Sequence, residues 1–321
     1  MNPRQTIYSD EGDGSEKQVL VIGAASMDTI GRLKSELHIG TSTPSRIHNS
    51  FGGVARNVAE NLARLGQPVK LLSVVGAGPI GAQLLQHLNA CGVDTSFVRC
   101  TDNHPTSSYL AILSSSGEFQ FALDDMRAVS ELSSAYIRQH AHLINDAALV
   151  FIDGNLSKET LRTVVSIAKK AQVPLCADPT SGSLAARMIK YLPDFHLITP
   201  NSAEAEVLAD CCVSPSSRKE TLTAAKRLVS LGVNIAIVTR AEFGVTYATS
   251  ETSGHIPAIR TRIVDPTGAS DALTATMIFS LLNGIPLDDA VRLSVAAASL
   301  TLGHRGAVVP DLSLQTLYDQ L

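Results

Sequence analysis

The stretch Asp265-Pro266-Thr267-Gly268-Ala269-Ser270-Asp271, followed by the apolar run from Ala272 to Leu282, is the most informative part of this chain. It predicts a tight turn that leads directly into a helix with an acid in its first turn. The unpaired N–H groups at a helix N-terminus carry about half a positive charge and bind anions. Gly268 and Ala269 are small enough to let a phosphate group approach that backbone. The stretch therefore predicts an anion site at a helix start.

Asp271 is the residue of this stretch that separates two interpretations. A carboxylate beside a bound anion opposes simple binding, but it suits a general base that takes a proton from a hydroxyl attacking phosphorus. The alternative is structural, because Thr and Asp are favoured near helix starts, where they cap free N–H groups. The stretch alone leaves both interpretations open, and the rest of the chain favours the first.

Composition limits the classes of partner. The 321 residues could form two average domains or one large α/β domain with an insertion. A hydrophobic content of 45% and 22 glycines suit a well-buried α/β core. The lack of Trp, the 4% aromatic content and the net charge of −4 argue against nucleic acid as a partner. A small anionic ligand would have to be held by backbone groups and a metal ion.

Cysteine usage and hydropathy bear on the compartment. The five cysteines are odd in number and show no zinc-ligand spacing, nor do the nine histidines, so the reduced cytosol and a cytoplasmic protein are favoured. No apolar run approaches the roughly 18 residues that a membrane span needs, so no membrane partner is expected. The polar residues 1–17 lack a signal core and predict a flexible tail.

Strand and helix patterns alternate along the middle of the chain, from residue 148 to residue 239. This order predicts a parallel sheet that is covered by helices on both faces. Alternating segments near 33–50 and 105–124 predict the strands of a small projecting sheet, here called the lid. Residues 18–321 are therefore predicted to form one α/β domain with this lid.

Polar residues follow several predicted strands, where ligands bind in open α/β sheets. Each one alone is explained by a cap or a turn, but their repeated placement at one sheet edge predicts a site. An ionised carboxylate at Asp28 could accept hydrogen bonds from two vicinal sugar hydroxyls. The pair Gly52-Gly53 would let a ligand lie against the backbone. The other members are Asn57, Asp178, Asn201, Glu204 and Thr239.

Three ordered motifs identify a family. Gly52–Ala59 resembles the first signature of the ribokinase-like (PfkB) sugar and nucleoside kinases, and Asp265–Asp271 resembles their second signature. Pro200–Glu206 is similar to their Asn-x-x-Glu motif and lies between the two. The resemblance runs from Val19 to the C-terminus. It implies a three-layer ribokinase-like α/β fold with a central, mostly parallel sheet and a small β-sheet lid.

Within that family, the lid segments are most similar to those of pseudouridine kinases. The similar segments are Gly40–Pro44, Thr106–Leu110, Gly117-Glu118 and Asp124–Met126. The resemblance implies a pseudouridine substrate that is phosphorylated by ATP at its 5′-hydroxyl, with Thr106 and Ser108 on the base side.

The resemblance also implies roles for single residues. Asp271 would be the catalytic base, and the amides of Gly268, Ala269 and Ser270 would bind the transferring phosphoryl group. The implied substrate contacts are Asp28, Gly52, Gly53 and Asn57. The implied ATP contacts are Asn201, Thr239, Gly244 and Gly268. Asn201 and Glu204 would hold Mg²⁺ through water, and Asp265 would contribute to a monovalent cation site, with K⁺ expected.

Departures from the family pattern keep other functions open. Ser270 and Ala241 stand where the family usually has Gly. If the position of Ser270 needs a positive φ, a side chain there costs about 1 kcal/mol or more. The alternatives are a kinase for another nucleoside or sugar, such as adenosine or ribose, and a weakly active nucleoside-binding paralogue. A homodimer is expected, because a projecting lid has exposed strand edges.

Overall fold

A parallel sheet forms the centre of the molecule in the computed structural model, which describes residues 18–321. The predicted tail, residues 1–17, lies outside the described residues. The spatial order of its strands is β14 (Ser253–Ile256), β13 (Val245–Ala248), β12 (Ile235–Thr239), β11 (Leu197–Ile198), β10 (Leu175–Asp178), β9 (Leu149–Asp153), β1 (Val19–Ile22) and β4 (Val69–Leu72). In this order, neighbouring strands from β12 to β4 pair in parallel, while β13 and β14 pair antiparallel.

Helices cover both faces of this sheet. Side chains alternate along each strand, so Val19 and Val21 pack on one face while Leu20 and Ile22 pack on the other. The first face carries α1 (Val54–Arg64), α2 (Pro79–Ala90), α10 (Ala269–Leu282) and α11 (Leu287–Leu302). The second carries α4 (Ser134–Gln139), α5 (Ala141–Asn145), α6 (Lys158–Ala171), α7 (Gly182–Ala185), α8 (Ser202–Ala209) and α9 (Arg218–Ser230). The predicted three-layer architecture is confirmed.

The helix α10 is apolar nearly all round, because it is buried between the sheet, α1 and α11. The remaining helices are short: α3 (Arg127–Ser130) and α12 (Leu314–Asp319), which packs on α11. None of the helices within residues 18–321 is both long and apolar enough to span a bilayer.

A separate four-stranded sheet, the small sheet, corresponds to the predicted lid. Its order is β3 (Ser45–Gly52), β2 (Ser26–Leu33), β7 (Ser107–Leu113) and β8 (Phe119–Asp125). The parallel pairing of β2 with β7 joins the two predicted segments. The first strand begins at Ser26 rather than near Leu33, and residues 34–44 form an irregular connection. The pattern missed β2 because apolar side chains occur together with polar residues or Gly on both of its faces, so hydrophobicity does not alternate along the strand.

Two connections depart from regular strand and helix alternation. The strand β5 (Val74–Gly76), which follows β4, leaves the main sheet and pairs with β6 (Arg99–Thr101). The short helix α7 is followed by a 3₁₀ segment, Ile189–Asp194. Pro193 lies inside that segment and lacks the N–H group that a longer α-helix needs there.

The N-termini of α1 and α10 meet beside the small sheet. Gly53 precedes α1 with a φ of 92°, and a Cβ atom there would lie 2.5 Å from the carbonyl oxygen of Ala24. Only Gly fits both the conformation and the space. This close approach sets α1 against the end of β1 and brings its first turn to the first turn of α10.

Candidate active site

Asp271 lies in the first turn of α10, where it is buried against α1. The amide Nδ2 of Asn57 donates a hydrogen bond to its Oδ2 at 2.6 Å. Burial raises the pKa of Asp271 to about 6, while the Asn57 bond and the charge of Arg56 limit the rise. The carboxylate is thus ionised at neutral pH and basic enough to accept a proton.

The amide of Asn57 is oriented by its neighbour in sequence. Nη2 of Arg56 donates to Asn57 Oδ1, which turns Nδ2 toward Asp271. Arg56 is itself fixed by bonds to the carbonyl oxygens of Phe51 and Gly52. Its Nη1 donates to Glu60 one turn along α1, and both side chains are buried. We call the series Asp271, Asn57, Arg56 and Glu60 the base relay.

The turn before α10 exposes backbone amides at the helix start. Gly268 is left-handed, with a φ of 78°, and a Cβ atom there would lie 2.1 Å from the carbonyl oxygen of Ala307. The N–H groups of Ala269 and Ser270 fall in the first turn, where they have no partner within the helix. Ser270 is helical and its φ is not positive, so replacing the family's Gly there strains no backbone. Its exposed side chain has Oγ 3.5 Å from Asp271 Oδ1.

Asp28 lies within β2 rather than after the end of the first strand. It is buried, and Ser26 Oγ donates to its Oδ1 at 2.8 Å. A Cβ atom at Gly52 would lie 2.0 Å from the carboxyl carbon of Asp28, so the missing side chain makes room for this carboxylate. The charge of Asp28 contributes to the raised pKa of Asp271.

The strand register separates the predicted base-side residues. Asp28 pairs with Tyr109, and Tyr109 pairs with Asp124. Because neighbours in a strand point to opposite faces, Tyr109 shares the face of Asp28 and Ser108 lies on the other face. Thr106 is buried, and its Oγ1 accepts a bond from the backbone of Gly76 at 3.1 Å. Within the lid segment Thr106–Leu110, Tyr109 therefore lies across from Asp28 on the same face, whereas Ser108 does not.

A cavity of about 660 Å³ adjoins the turn before α10. This volume is within the range of small-molecule sites. The predicted ATP contacts Thr239 and Gly244 line it together with Ala269 and Ser270. Gly244 has a φ of 86°, and a Cβ atom there would lie 2.1 Å from the carbonyl oxygen of Ile256. The apolar part of the wall includes Ile259, Leu273, Val295 and Leu302.

Acidic groups gather at the carboxyl ends of β10 and β11. Asn201 caps α8 and shares a reciprocal capping box with Glu204, whose Oε1 accepts from Asn201 Nδ2 at 2.8 Å. Burial raises the pKa of Glu204. Burial and the charges of Glu204 and Asp271 raise the pKa of Asp178 well above its usual value. Among residues 18–321, no Lys or Arg forms an ion pair with Asp178 or Glu204. Uncompensated oxygen ligands of this kind fit Mg²⁺.

Asp265 is tied to the turn by its own chain. Its Oδ1 accepts from Thr267 N at 3.0 Å and Thr267 Oγ1 at 2.6 Å, and its Oδ2 accepts from Gly306 N at 3.1 Å. His48 of β3 lies 3.5 Å from Oδ2. Burial opposes ionisation, but these bonds and His48 outweigh it and lower the pKa of Asp265. Both oxygens already have donors, so a monovalent cation here would depend largely on backbone carbonyl groups.

Comparison with known proteins identifies the family of this chain. The model of the "pfkB family carbohydrate kinase" matches residues 16–313. The chain belongs to the pfkB family of carbohydrate kinases. The sequence-based assignment is therefore confirmed, and the chain is a kinase of the class that phosphorylates sugars or nucleosides.

Two relatives of this pfkB kinase are named as nucleoside kinases. It is 33% identical over 92% of its length to the pseudouridine kinase of Escherichia coli (strain K12), of which 94% is covered. It is 28% identical over 92% of its length to the guanosine-inosine kinase of Exiguobacterium acetylicum, of which 98% is covered.

Solved structures confirm the ribokinase-like fold. A putative sugar kinase from Clostridium perfringens superimposes with a TM-score of 0.81 at 27% identity, covering 95% of this chain and 96% of that one. The ribokinase of Arabidopsis thaliana complexed with ribose and ATP gives a TM-score of 0.81 at 21% identity. The superposition covers 95% of this chain and 98% of the ribokinase.

Proposed function

We propose that this pfkB kinase transfers the γ-phosphoryl group of ATP to the 5′-hydroxyl of pseudouridine, giving pseudouridine 5′-phosphate and ADP. The observation that carries the transfer chemistry is the buried Asp271, which is oriented by Asn57 at the start of α10. The similarity to a pseudouridine kinase, at 33% identity over nearly the whole chain, favours the acceptor.

Asp271 takes the proton of the 5′-hydroxyl as that oxygen attacks the γ-phosphorus. The new O–P bond forms while the bond from phosphorus to the bridging oxygen breaks, and ADP leaves with that electron pair. The amides of Gly268, Ala269 and Ser270 stabilise the charge on the transferring group, since they lie in the helix turn that already holds the base. The positions of the base and these amides are set by the fold, so little reorganisation is needed during transfer.

The ribose would lie between the small sheet and α1, held by Asp28, Gly52, Gly53 and Asn57. Asp28, for which the missing side chain of Gly52 makes room, would accept bonds from two neighbouring hydroxyls. The base would extend toward Tyr109.

The nucleotide would occupy the cavity beyond the α10 turn, with Thr239 and Gly244 beside its phosphates and base. Bound Mg²⁺ would neutralise phosphate oxygens. Asn201 and Glu204, with Asp178 beside them, would hold it through water. Asp265 and the backbone around it would bind a monovalent cation, with K⁺ as the expected ion.

A substrate panel tests the acceptor. The protein, ATP and Mg²⁺ are incubated with pseudouridine, uridine, guanosine, inosine, adenosine or ribose, and the phosphorylated products are separated and quantified. We expect the highest kcat/KM with pseudouridine. Preferred turnover of guanosine or inosine would instead favour the second candidate, which rests on the similarity to the guanosine-inosine kinase. Asp271→Asn serves as the inactive control, and nucleoside binding without ATP turnover by the unaltered chain would indicate a binding protein.

A further inference from the structure

Three side chains of different ligand types meet between α1 and α2, on the far side of Arg56 from Asp271. His87 and Cys91 lie four residues apart on α2, so they share one face of the helix, and Glu60 of α1 faces them. Glu60 Oε2 is 3.0 Å from His87 Nε2, Cys91 Sγ is 3.7 Å from the same nitrogen, and Cys91 Sγ is 3.5 Å from Glu60 Oε1. Glu60 is buried, and the other two are partly exposed.

With bonds of 2.0–2.3 Å to zinc, neighbouring ligand atoms of a tetrahedral site lie roughly 3.3–3.6 Å apart. The three separations fall within a few tenths of an ångström of this range, so small side-chain movements bring one oxygen of Glu60, Nε2 of His87 and Sγ of Cys91 around one ion. We propose that Glu60, His87 and Cys91 bind one zinc ion, with water at the fourth position, in a site separate from the Mg²⁺ and ATP sites. A thiolate and an imidazole favour Zn²⁺ over Mg²⁺, which prefers oxygen ligands. The thiol releases its proton to solvent when the ion binds.

Arg64 stands where the ion would lie and shows how the site can open. Its Nη2 donates to Glu60 Oε1 at 2.9 Å and to Cys91 Sγ at 3.1 Å, so a cationic group already occupies this position. Arg64 is partly exposed on the last turn of α1. Its Nη1 also donates to the carbonyl oxygen of Pro310 at 2.5 Å, so zinc binding requires Arg64 to leave all three partners and turn toward solvent, and the ion then replaces it as the positive partner of Glu60.

The site is connected to the chemistry through the base relay. Glu60 is the ion-pair partner of Arg56, and Arg56 orients the amide of Asn57 that contacts Asp271. A zinc ion that binds the Glu60 carboxylate weakens its attraction for Arg56. Zinc binding therefore lowers kinase turnover without touching either substrate.

Cobalt is the spectroscopic probe for binding, since it takes zinc sites and shows a thiolate charge-transfer band. The full chain, free of nucleotide, is titrated with Co²⁺ and then with Zn²⁺. We expect one Co²⁺ per chain with a thiolate band that Zn²⁺ abolishes. Cys91→Ser should remove the band, and His87→Gln should weaken binding about 10-fold or more. The control is the double variant Cys211→Ser/Cys212→Ser, which removes two cysteines outside the proposed site. It should retain the thiolate band and the affinity for Co²⁺. A band that survives Cys91→Ser, or no band at all, would overturn the proposal.

Turnover is then measured with a saturating excess of Mg²⁺ and ATP while Zn²⁺ is raised across the range that fills the site. We expect a several-fold loss of kcat in the unaltered chain and in Cys211→Ser/Cys212→Ser, but little loss in Cys91→Ser. Equal inhibition of all three would show that zinc acts elsewhere and would refute the link to the base relay. The Co²⁺ titration needs no substrate, so its result stands whichever acceptor the kinase uses.

Discussion

At the scale of single residues, the proposed base, Asp271, is held at a cost to stability. An Asp with a raised pKa in the folded state binds its proton more tightly there than in the unfolded chain. Its effect on stability therefore becomes unfavourable as pH rises from about 4 to about 6, and stays so above that. Asp271 thus destabilises the fold at the pH at which it works.

Replacing Asp271 with Asn tests this opposition between activity and stability. Asn removes the buried charge and keeps an oxygen that can accept from Asn57. We expect kcat to fall about 10²–10⁴-fold, because no base remains. We also expect the free energy of unfolding at pH 7 to rise by about 2–3 kcal/mol, since each pKa unit corresponds to about 1.4 kcal/mol. Turnover is measured with ATP and the best acceptor, and unfolding with urea.

The stability gain of Asp271→Asn should shrink as pH falls toward 4, because the carboxyl group of the unaltered chain is then protonated as well. A gain that is constant from pH 4 to pH 7 would show that the buried charge is not its cause. Turnover at the parent rate would remove Asp271 from the role of base.

The same pKa predicts the acid side of the pH–rate profile. The base must be ionised to accept a proton, so kcat/KM should fall about 10-fold per pH unit below about 6 and be level above it. The measurement uses Mg²⁺ and ATP in excess at each pH. A profile that stays level down to pH 4.5 would contradict the desolvated environment of this carboxylate.

Gly52 is predicted to tolerate no side chain. A Cβ atom added at this position would lie 2.0 Å from the Asp28 carboxyl carbon, so Asp28 must move away from its present position. We expect Gly52→Ala to raise KM for the acceptor, and a displacement of about 1 Å costs up to about 100-fold in kcat/KM. Gly78→Ala is the matched control, because nothing lies within 4 Å of its added Cβ and its φ is −77°. Equal KM values in the two variants would show that Asp28 does not bind the acceptor.

At the scale of elements, the sequence was sufficient to predict a strand or a helix where its hydrophobic pattern fits only one of the two. The alternation from residue 148 to 239 predicted the parallel sheet, because buried strands and amphipathic helices have different periods. The strand β2 was missed, since it is a run of mixed polar and small residues that pairs on both sides.

Of the base relay, Arg56 and Glu60 were missed for another reason. They have the spacing of an ordinary exposed ion pair on a helix, and only the packing of α1 against α10 and α2 buries them. The contact of His87 with Glu60 depends on the same packing. Contacts between residues distant in sequence depend on how helices pack, which a single sequence does not encode in its spacing.

The connection between β12 and β13 contains a strained residue. Ala241 has a φ of 49°, in the left-handed region that favours Gly, and the family usually has Gly at this position. We expect Ala241→Gly to change the free energy of unfolding by about +0.5 to +1 kcal/mol, because it relieves the strain but adds freedom to the unfolded chain. Urea unfolding checks this, and Ala258→Gly on the opposite wall of the cavity is the control. A loss of stability equal to that of the control would show that Ala241 is not strained.

At the scale of the whole molecule, the face of the small sheet away from Asp28 is apolar and uncovered. The register places Leu110, Phe121 and Leu123 on this outer face, and Ile47 lies across β2 from them. Ile47 is 69% exposed and Leu123 is 61% exposed. The edge strands β3 and β8 each have one partner, and their outer edges pair with no other described strand. Apolar patches of this kind mark surfaces that bind protein.

We predict that two copies of the chain associate through this outer face, since apolar side chains and open strand edges occur on the same sheet. Light scattering at micromolar concentration should give the mass of a dimer. Leu123→Lys should shift that mass toward a monomer, because it places a charge in the contact. Ile189→Lys, which alters an exposed residue on the 3₁₀ segment, should leave the dimer intact.

The small sheet also carries Asp28, so the monomeric variant should show a higher KM for the acceptor. Its KM for ATP should change little, because the proposed ATP cavity lies beyond the α10 turn. A monomeric mass for the unaltered chain would contradict the prediction, and a dimer that survives Leu123→Lys would place the interface elsewhere.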